Sequence, residues 1–314
     1  MTRELKVLRA FMLWAVLGSG ALIMFLLHHS KISLDYHSLA PVGSSLALLV
    51  GTGIVCRMRG FLKSALIMEA LAGGIAFSVL VLASTYLAIS MNAPLADDWL
   101  VAMDLRMGFD GAAFIRLVDG MPLVSSALML AYTSFSLQLL TLPMLLILFG
   151  QPARAFAMVL AYALIGYVSS VVSIWFPALG SHVVYAIEPS SLTSINPHFG
   201  YAFLEQFHAV REQSAFLLSL ESAEGILTFP SVHAAVALLC AVSAYSIPLL
   251  RYPFLALNML MAIATVTHSN HYLVDVFAGF GVAVASIYGI RILSRMPSAK
   301  RIEAFAAGRE RSAV

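Results

Sequence analysis

Apolar residues run through this chain in long blocks, not in alternation. Eight blocks approach the roughly 20 residues that a helix needs to cross a bilayer: 10–28, 39–56, 65–90, 122–149, 153–177, 232–250, 253–268 and 271–294. The pattern predicts an all-α polytopic membrane helical bundle with about eight transmembrane helices. The block at 122–149 is too long to cross untilted, and Pro143 is its expected kink point. Two of the intervening segments are more than turns. Residues 92–121 mix Asp97, Asp98, Asp104, Asp110 and Asp119 with Trp99, Phe109, Phe114 and Ile115, which predicts one or two short helices lying at the interface. In the polar stretch 178–230, residues 201–220 set Phe203, Leu204, Phe207, Val210, Phe216 and Leu217 broadly on one side, as in a surface-lying amphipathic helix. That stretch reads either as a packed outer cap or as a lid that guides lipid.

Composition agrees. Hydrophobic residues make up 61%, charged residues only 11%, and mean hydropathy is +0.91, which excludes an ordinary soluble domain. A net charge of +2, with its basic residues at span ends, argues against a nucleic-acid partner. Cys56 and Cys240 fall in or beside apolar blocks, so no disulfide framework is readable. With the amino terminus cytoplasmic, 14 of the 18 Lys and Arg fall in inside segments and only Lys31, Arg106, Arg116 and Arg211 outside. This asymmetry orients the chain with both termini cytoplasmic. Short loops make a bacterial inner membrane the expected location, with the segments before 232 and 271 facing the periplasm or exterior; a eukaryotic membrane with these segments facing the lumen is the alternative. One integral-membrane domain, 1–314, is expected: accessory N-terminal spans over 1–90, a catalytic core over 91–294, and a basic cytoplasmic tail over 295–314.

Candidate chemistry gathers at two places. Residues 267–275 carry His268, Asn270, His271 and Asp275 between two apolar blocks, where ionisable groups are costly and are kept for chemistry. If the helix runs from His271, that residue and Asp275 share a face. The carboxylate then holds one ring nitrogen and leaves the other free to react. The second place is Phe229-Pro230-Ser231-Val232-His233. Pro230 and Ser231 mark a helix start, with His233 in a first turn whose free N–H groups and dipole suit an anion. One return span between them puts His233 and His271 at the same membrane depth. Outside these two places the bland readings hold. His268 reads as an exposed interfacial histidine, and His182, His198 and His208 read as solvent-facing. Glu69 is expected to snorkel or to pair with Lys63. Tyr132, Ser134, Ser136 and Gln138 fit either a cavity lining or helix-to-helix hydrogen bonds. No metal or cofactor is expected, because orienting His271 already uses Asp275.

These two segments resemble the second and third signature motifs of the type 2 phosphatidic acid phosphatase superfamily. The Asn270-His271-Tyr272 context followed by Asp275, Val276 and Gly279 is most similar to the inositol phosphorylceramide synthase-like branch. The resemblance implies a six-helix phosphatase-type core and metal-independent chemistry on a lipid phosphate ester, diester or diphosphate. It implies that His271 attacks phosphorus to form a phosphohistidine, Asp275 orients it, and His233 protonates the leaving group. Ser231 and Asn270 are candidate substrate-binding residues beside them. Three departures stand out. Ala264 and Thr265 replace a Ser-Arg pair, a lysine followed after six residues by Arg-Pro is absent, and Val232 replaces a glycine. The phosphate clamp must therefore come from elsewhere, and electrostatic need singles out Arg211 and Arg116 among the outer arginines. Loss of the clamp tilts the expectation from phosphatase toward transferase, with membrane lipids as partners. The rival readings are a proton- or anion-coupled carrier, in which the same residues form a relay, and an inactive lipid-phosphate-binding protein.

Overall fold

The computed structural model describes residues 1–295 and is predominantly helical, with almost no sheet. In chain order the elements are α1 (Arg3–His28), β1 (Ile32–Leu34), α2 (Tyr36–Met58), α3 (Leu62–Ser90), α4 (Asp97–Arg106), α5 (Gly111–Asp119), α6 (Pro122–Thr133), α7 (Phe135–Leu148), α8 (Pro152–Ser173), α9 (Ser181–Val184), α10 (His198–Tyr201), α11 (Leu204–Glu212), β2 (Phe216–Leu218), α12 (Val232–Ala244), α13 (Pro248–Thr267) and α14 (Leu273–Arg295). The expected basic tail over 295–314 lies, after its first residue, outside the described residues.

The chain is an all-α membrane bundle. Helices α1, α2, α3, α8, α13 and α14 are each long and apolar enough to cross a membrane. The other two expected spans are helical but differently divided. Block 122–149 is interrupted at Ser134, not at Pro143, which sits inside α7. The reason is local. Ser134 Oγ donates to the Ala131 carbonyl and Thr133 Oγ1 to Met129 and Leu130, so adjacent hydroxyls compete with the helical ladder. Block 232–250 shortens to the 13 residues of α12, because Pro248 starts the next helix at a position where its missing N–H is harmless.

The core forms where α1, α3, α7, α8, α12 and α14 meet around Leu8, Phe77, Leu142, Leu146 and Phe156. Helix α8 is the most enclosed of the spans, whereas α2 buries only Ser38 and rides on the outside. Large apolar side chains such as Trp14, Leu48, Leu123 and Leu130 face outward, as a lipid-facing surface requires.

The segment 92–121 does form two short helices, α4 and α5, and α5 meets α6 at 108°. The amphipathic helix expected over 201–220 is instead broken. Phe203, Phe207, Val210 and Phe216 are buried, but Leu217 is exposed, because the chain leaves α11 and pairs β2 in parallel with β1. That pairing ties the 178–230 segment to the α1–α2 connection, and Lys31 Nζ adds bonds to the Arg211 and Gln213 carbonyls.

Candidate active site

Helix α12 starts where the sequence predicts. Ser231 is its N-cap, with Oγ accepting from the Ala234 N–H, and His233 stands in the first turn. Helix α14 starts two residues later than expected, at Leu273, so His271 lies ahead of the helix and not on its face. Asp275, in the first turn, still reaches back to it. His271 Nδ1 and Asp275 Oδ2 are 3.3 Å apart, and the same carboxylate oxygen accepts from the Tyr272 N–H at 2.9 Å. The contact is long for a hydrogen bond, within what an active site without substrate allows. His271 is 2% exposed and Asp275 0%. The second oxygen of Asp275 is buried without a hydrogen-bond partner among the described residues.

Two contacts bring the first constellation onto the second. The Ser231 N–H donates to the backbone carbonyl of Asp275 at 3.1 Å, and Gly279 lies directly against Ser231. His233 is near enough to His271 for their charges to interact. Its ring is stacked on Tyr132, with centroids 4.6 Å apart, and touches Phe135. Both aromatics flank the break at Ser134, so the interruption of α6–α7 shapes the wall around His233.

The shell around this pair is acidic. Asp104 caps α14, accepting from the Leu273 and Val274 N–H groups at 2.9 and 2.8 Å. Asp97 accepts from the Tyr272 hydroxyl at 2.8 Å and from the Leu179 and Gly180 N–H groups. Gly180, at φ +92°, packs so closely on Asn270 that only glycine fits. Asp119 gathers the 193–195 turn through four donor contacts from its N–H groups and a fifth from Thr193 Oγ1. Burial raises the Asp104 carboxyl, partly offset by its two N–H donors. Burial alone would also raise Asp119, but hydrogen bonds from Ile195, Ser194 and Thr193 hold it below its ordinary value. Burial and the Asp97 charge raise the Tyr272 phenol, which stays a donor.

The histidines divide in a way the sequence did not suggest. Burial pushes His271 down to about 4, against a backbone hydrogen bond involving Thr228. His268 is fully buried, not exposed at an interface; its ring meets Ser125 Oγ at 3.1 Å and Thr267 Oγ1 at 2.8 Å, and burial lowers it. His182 is not solvent-facing either. It is fully buried against Gly200 and Tyr201, with neither ring nitrogen in a hydrogen bond of normal geometry, and burial takes it down to about 4. Only His198 and His208 of that group keep to the surface region.

The four candidate substrate-binding residues fare unequally. Ser231 and Asn270 lie at the site, but as braces. Asn270 Nδ2 donates to Thr228 Oγ1 and the Leu179 carbonyl, while its Oδ1 accepts from Ser269. Arg211 donates to the Ala93 carbonyl and lies over Phe207; none of its described contacts reaches His233, His271 or Asp275. Arg116 is exposed on α5. Tyr132 donates to Ser269, placing that hydroxyl in the site's second layer. Asp97, Asp104 and Tyr272 escaped the sequence reading. The only signal was two carboxylates seven apart in an otherwise apolar outer segment.

A protein-family model described as the PAP2 superfamily matches residues 98–289, well over half of the chain. The chain belongs to the PAP2 superfamily. The match begins in α4 and ends in α14, leaving α1–α3 outside, so it spans every residue of the His233–His271–Asp275 constellation. No curated protein and no solved structure matches the chain. Membership of the PAP2 superfamily supports a phosphatase-type function on a lipid phosphate.

Proposed function

We propose that this PAP2 superfamily member is a lipid phosphotransferase or phosphatase working at the outer leaflet through a phosphohistidine on His271. The observation that carries the reading is the His271–Asp275 contact joined through Ser231 to the helix bearing His233. In this mechanism the free ring nitrogen of His271 attacks phosphorus, and the bond to the leaving oxygen breaks. Asp275 holds the ring tautomer and stabilises the imidazolium. His233 gives the leaving oxygen its proton. Water or a second alcohol then gives its proton to His233 and attacks phosphorus as the P–N bond breaks, returning His271. A diester substrate yields a monoester with water or a new diester with an alcohol, and a monoester substrate yields free phosphate with water. No step requires a metal or cofactor.

Charge argues for the class of phosphate. The described contacts around His271 include Asp275, Thr228 and the Asp97–Tyr272 pair, and no arginine or lysine. The donors left for phosphoryl oxygens are the first-turn N–H groups of Val232 and His233 and the α12 dipole. Such a site suits the single negative charge of a phosphodiester better than a monoester dianion, which needs cationic clamps. This favours transfer between lipid diesters, as in the synthase-like branch, over monoester hydrolysis. The orientation inferred from the basic residues puts the site on the periplasmic or exterior side of a bacterial inner membrane.

The experiment is incubation of purified protein with matched lipid monoesters, diesters and diphosphates, with and without an alcohol acceptor. Mass spectrometry follows products and phosphorylated histidine. The reading expects turnover of a diester and a labelled His271. His271→Gln protein that turns over lipid phosphates at the parental rate overturns it.

A further inference from the structure

We propose that the chain holds an anionic phospholipid of the inner leaflet in a second site, with its phosphate on Arg154 and Arg291. A cavity of about 630 Å³ opens between α1, α3, α8, α12 and α14. It lies at the far end of the bundle from the catalytic pair. Arg291 is sixteen positions beyond Asp275 on α14, roughly 24 Å at 1.5 Å per residue. The site therefore does not depend on the catalytic reading.

Two halves of the cavity differ in chemistry. Leu66, Met158, Ala161, Leu239 and Ile287 form apolar walls, while Arg154, Arg291 and Lys63 stand at the lining with the single carboxylate of Glu4. At this end Arg9 and Arg57 share Glu69, at 2.7 and 2.9 Å, a pairing that replaces the one expected with Lys63. Arg154 and Arg291 have no such partner among the described residues. Among the described residues no carboxylate lies within ion-pair distance of either. Arg154 is half-buried, and its one described hydrogen bond runs from Nη1 to the Val242 carbonyl at 3.3 Å. A guanidinium has five N–H donors, so most are left to the cavity. The two arginines are near enough to repel each other, and Glu4 attracts Arg154 only from beyond ion-pair distance. A half-buried and an exposed cation side by side over apolar walls call for an anion that carries its own apolar surface. Inorganic phosphate would leave the walls bare, and a zwitterionic lipid brings a cation of its own.

The test measures retention of phosphatidylglycerol against phosphatidylcholine of the same acyl chains by native mass spectrometry of the full chain. Because phosphatidylglycerol is itself a phosphodiester, His271→Gln protein is used throughout to prevent turnover. Wild-type charges at the cavity should retain one phosphatidylglycerol in preference. Arg291→Gln, an exposed change whose folding is checked by an unaltered melting temperature without lipid, should weaken it roughly fivefold, and adding Arg154→Gln should weaken it by about the same factor again. Ala161→Phe, which fills the apolar wall and keeps every charge, should also reduce retention, and Arg106→Gln on the other face should not. Equal retention of both lipids, undiminished retention in the double arginine variant, or displacement of the lipid by millimolar inorganic phosphate would overturn the proposal.

Discussion

A Cβ placed on Gly279 would come within 2.3 Å of the carbonyl oxygen of Ser231. That contact presses the first turn of α12 onto α14, and it sits one turn beyond Asp275, whose own carbonyl accepts the Ser231 N–H. His233, the proposed proton donor, and His271, the proposed nucleophile, are thus held together through backbone, which has no flexible side chain to absorb an error.

Gly279→Ala should therefore force the two helices apart. The expected loss is about 1–3 kcal/mol of stability, the range for overpacking a tight contact, with a larger fall in turnover. Gly281→Ala, with open space around it, should leave both nearly unchanged. Melting temperatures and turnover of the two variants decide it.

Asp275→Asn preserves shape but removes the charge that, in the proposed mechanism, stabilises an imidazolium on His271. Turnover should fall by roughly 10³–10⁴-fold with little change in KM, by analogy with loss of an orienting carboxylate in a catalytic triad. A parallel rise in KM with unchanged kcat would show that the carboxylate binds substrate and does not orient the nucleophile.

Burial holds His271 at about 4, below the 6.5 of a free imidazole. The nucleophile is then neutral throughout the neutral range, and the acid limb of kcat/KM should fall near pH 4–5. A limb near 6.5 would mean that the ring is solvated in the working enzyme.

His182 is likewise taken down to about 4. A group whose folded pKa is lowered binds fewer protons folded than unfolded between these values. Stability present above pH 6.5 is therefore lost as pH falls toward 4, by up to about 3 kcal/mol for one such group. His182→Phe should flatten that part of the stability–pH curve, read as melting temperature at pH 7 against pH 5.

Asp104 accepts both first-turn N–H groups of α14, so Asp104→Ala should cost about 1–2 kcal/mol, as for a lost helix cap. Because the same turn carries Asp275, turnover should fall further than stability alone explains. Asp104→Asn, which keeps one acceptor, should recover part of both.

Much of the fold was legible because its signal is local. All eight apolar blocks are helical, and the 92–121 pair of interfacial helices is present. The boundaries that moved did so for local reasons as well: paired hydroxyls at Thr133 and Ser134, and Pro248 at a first helical position. The 201–220 reading failed differently. The apolar spacing was there, but the partner of Phe216–Leu218 is Ile32–Leu34, more than 180 positions away, and no periodicity within one segment can announce such a pairing. Arg211 and Arg116 were singled out by electrostatic need, and need says nothing about reach. His182 and His268 read as exposed because polar neighbours in a loop imply water only until the loop folds back on itself.

The chain's own order of residues determined that it crosses a membrane, which blocks are helical, and that His233 and His271 stand in or just ahead of a helix's first turn. These follow from hydropathy and backbone chemistry over a few turns. Only the tertiary structure decided which carboxylates surround the pair, that no described cation attends it, and that Arg154 and Arg291 stand together at the opposite end with no described carboxylate within ion-pair distance. Charge placement across segments distant in sequence depends on which helices touch, and that is a property of the packed bundle alone.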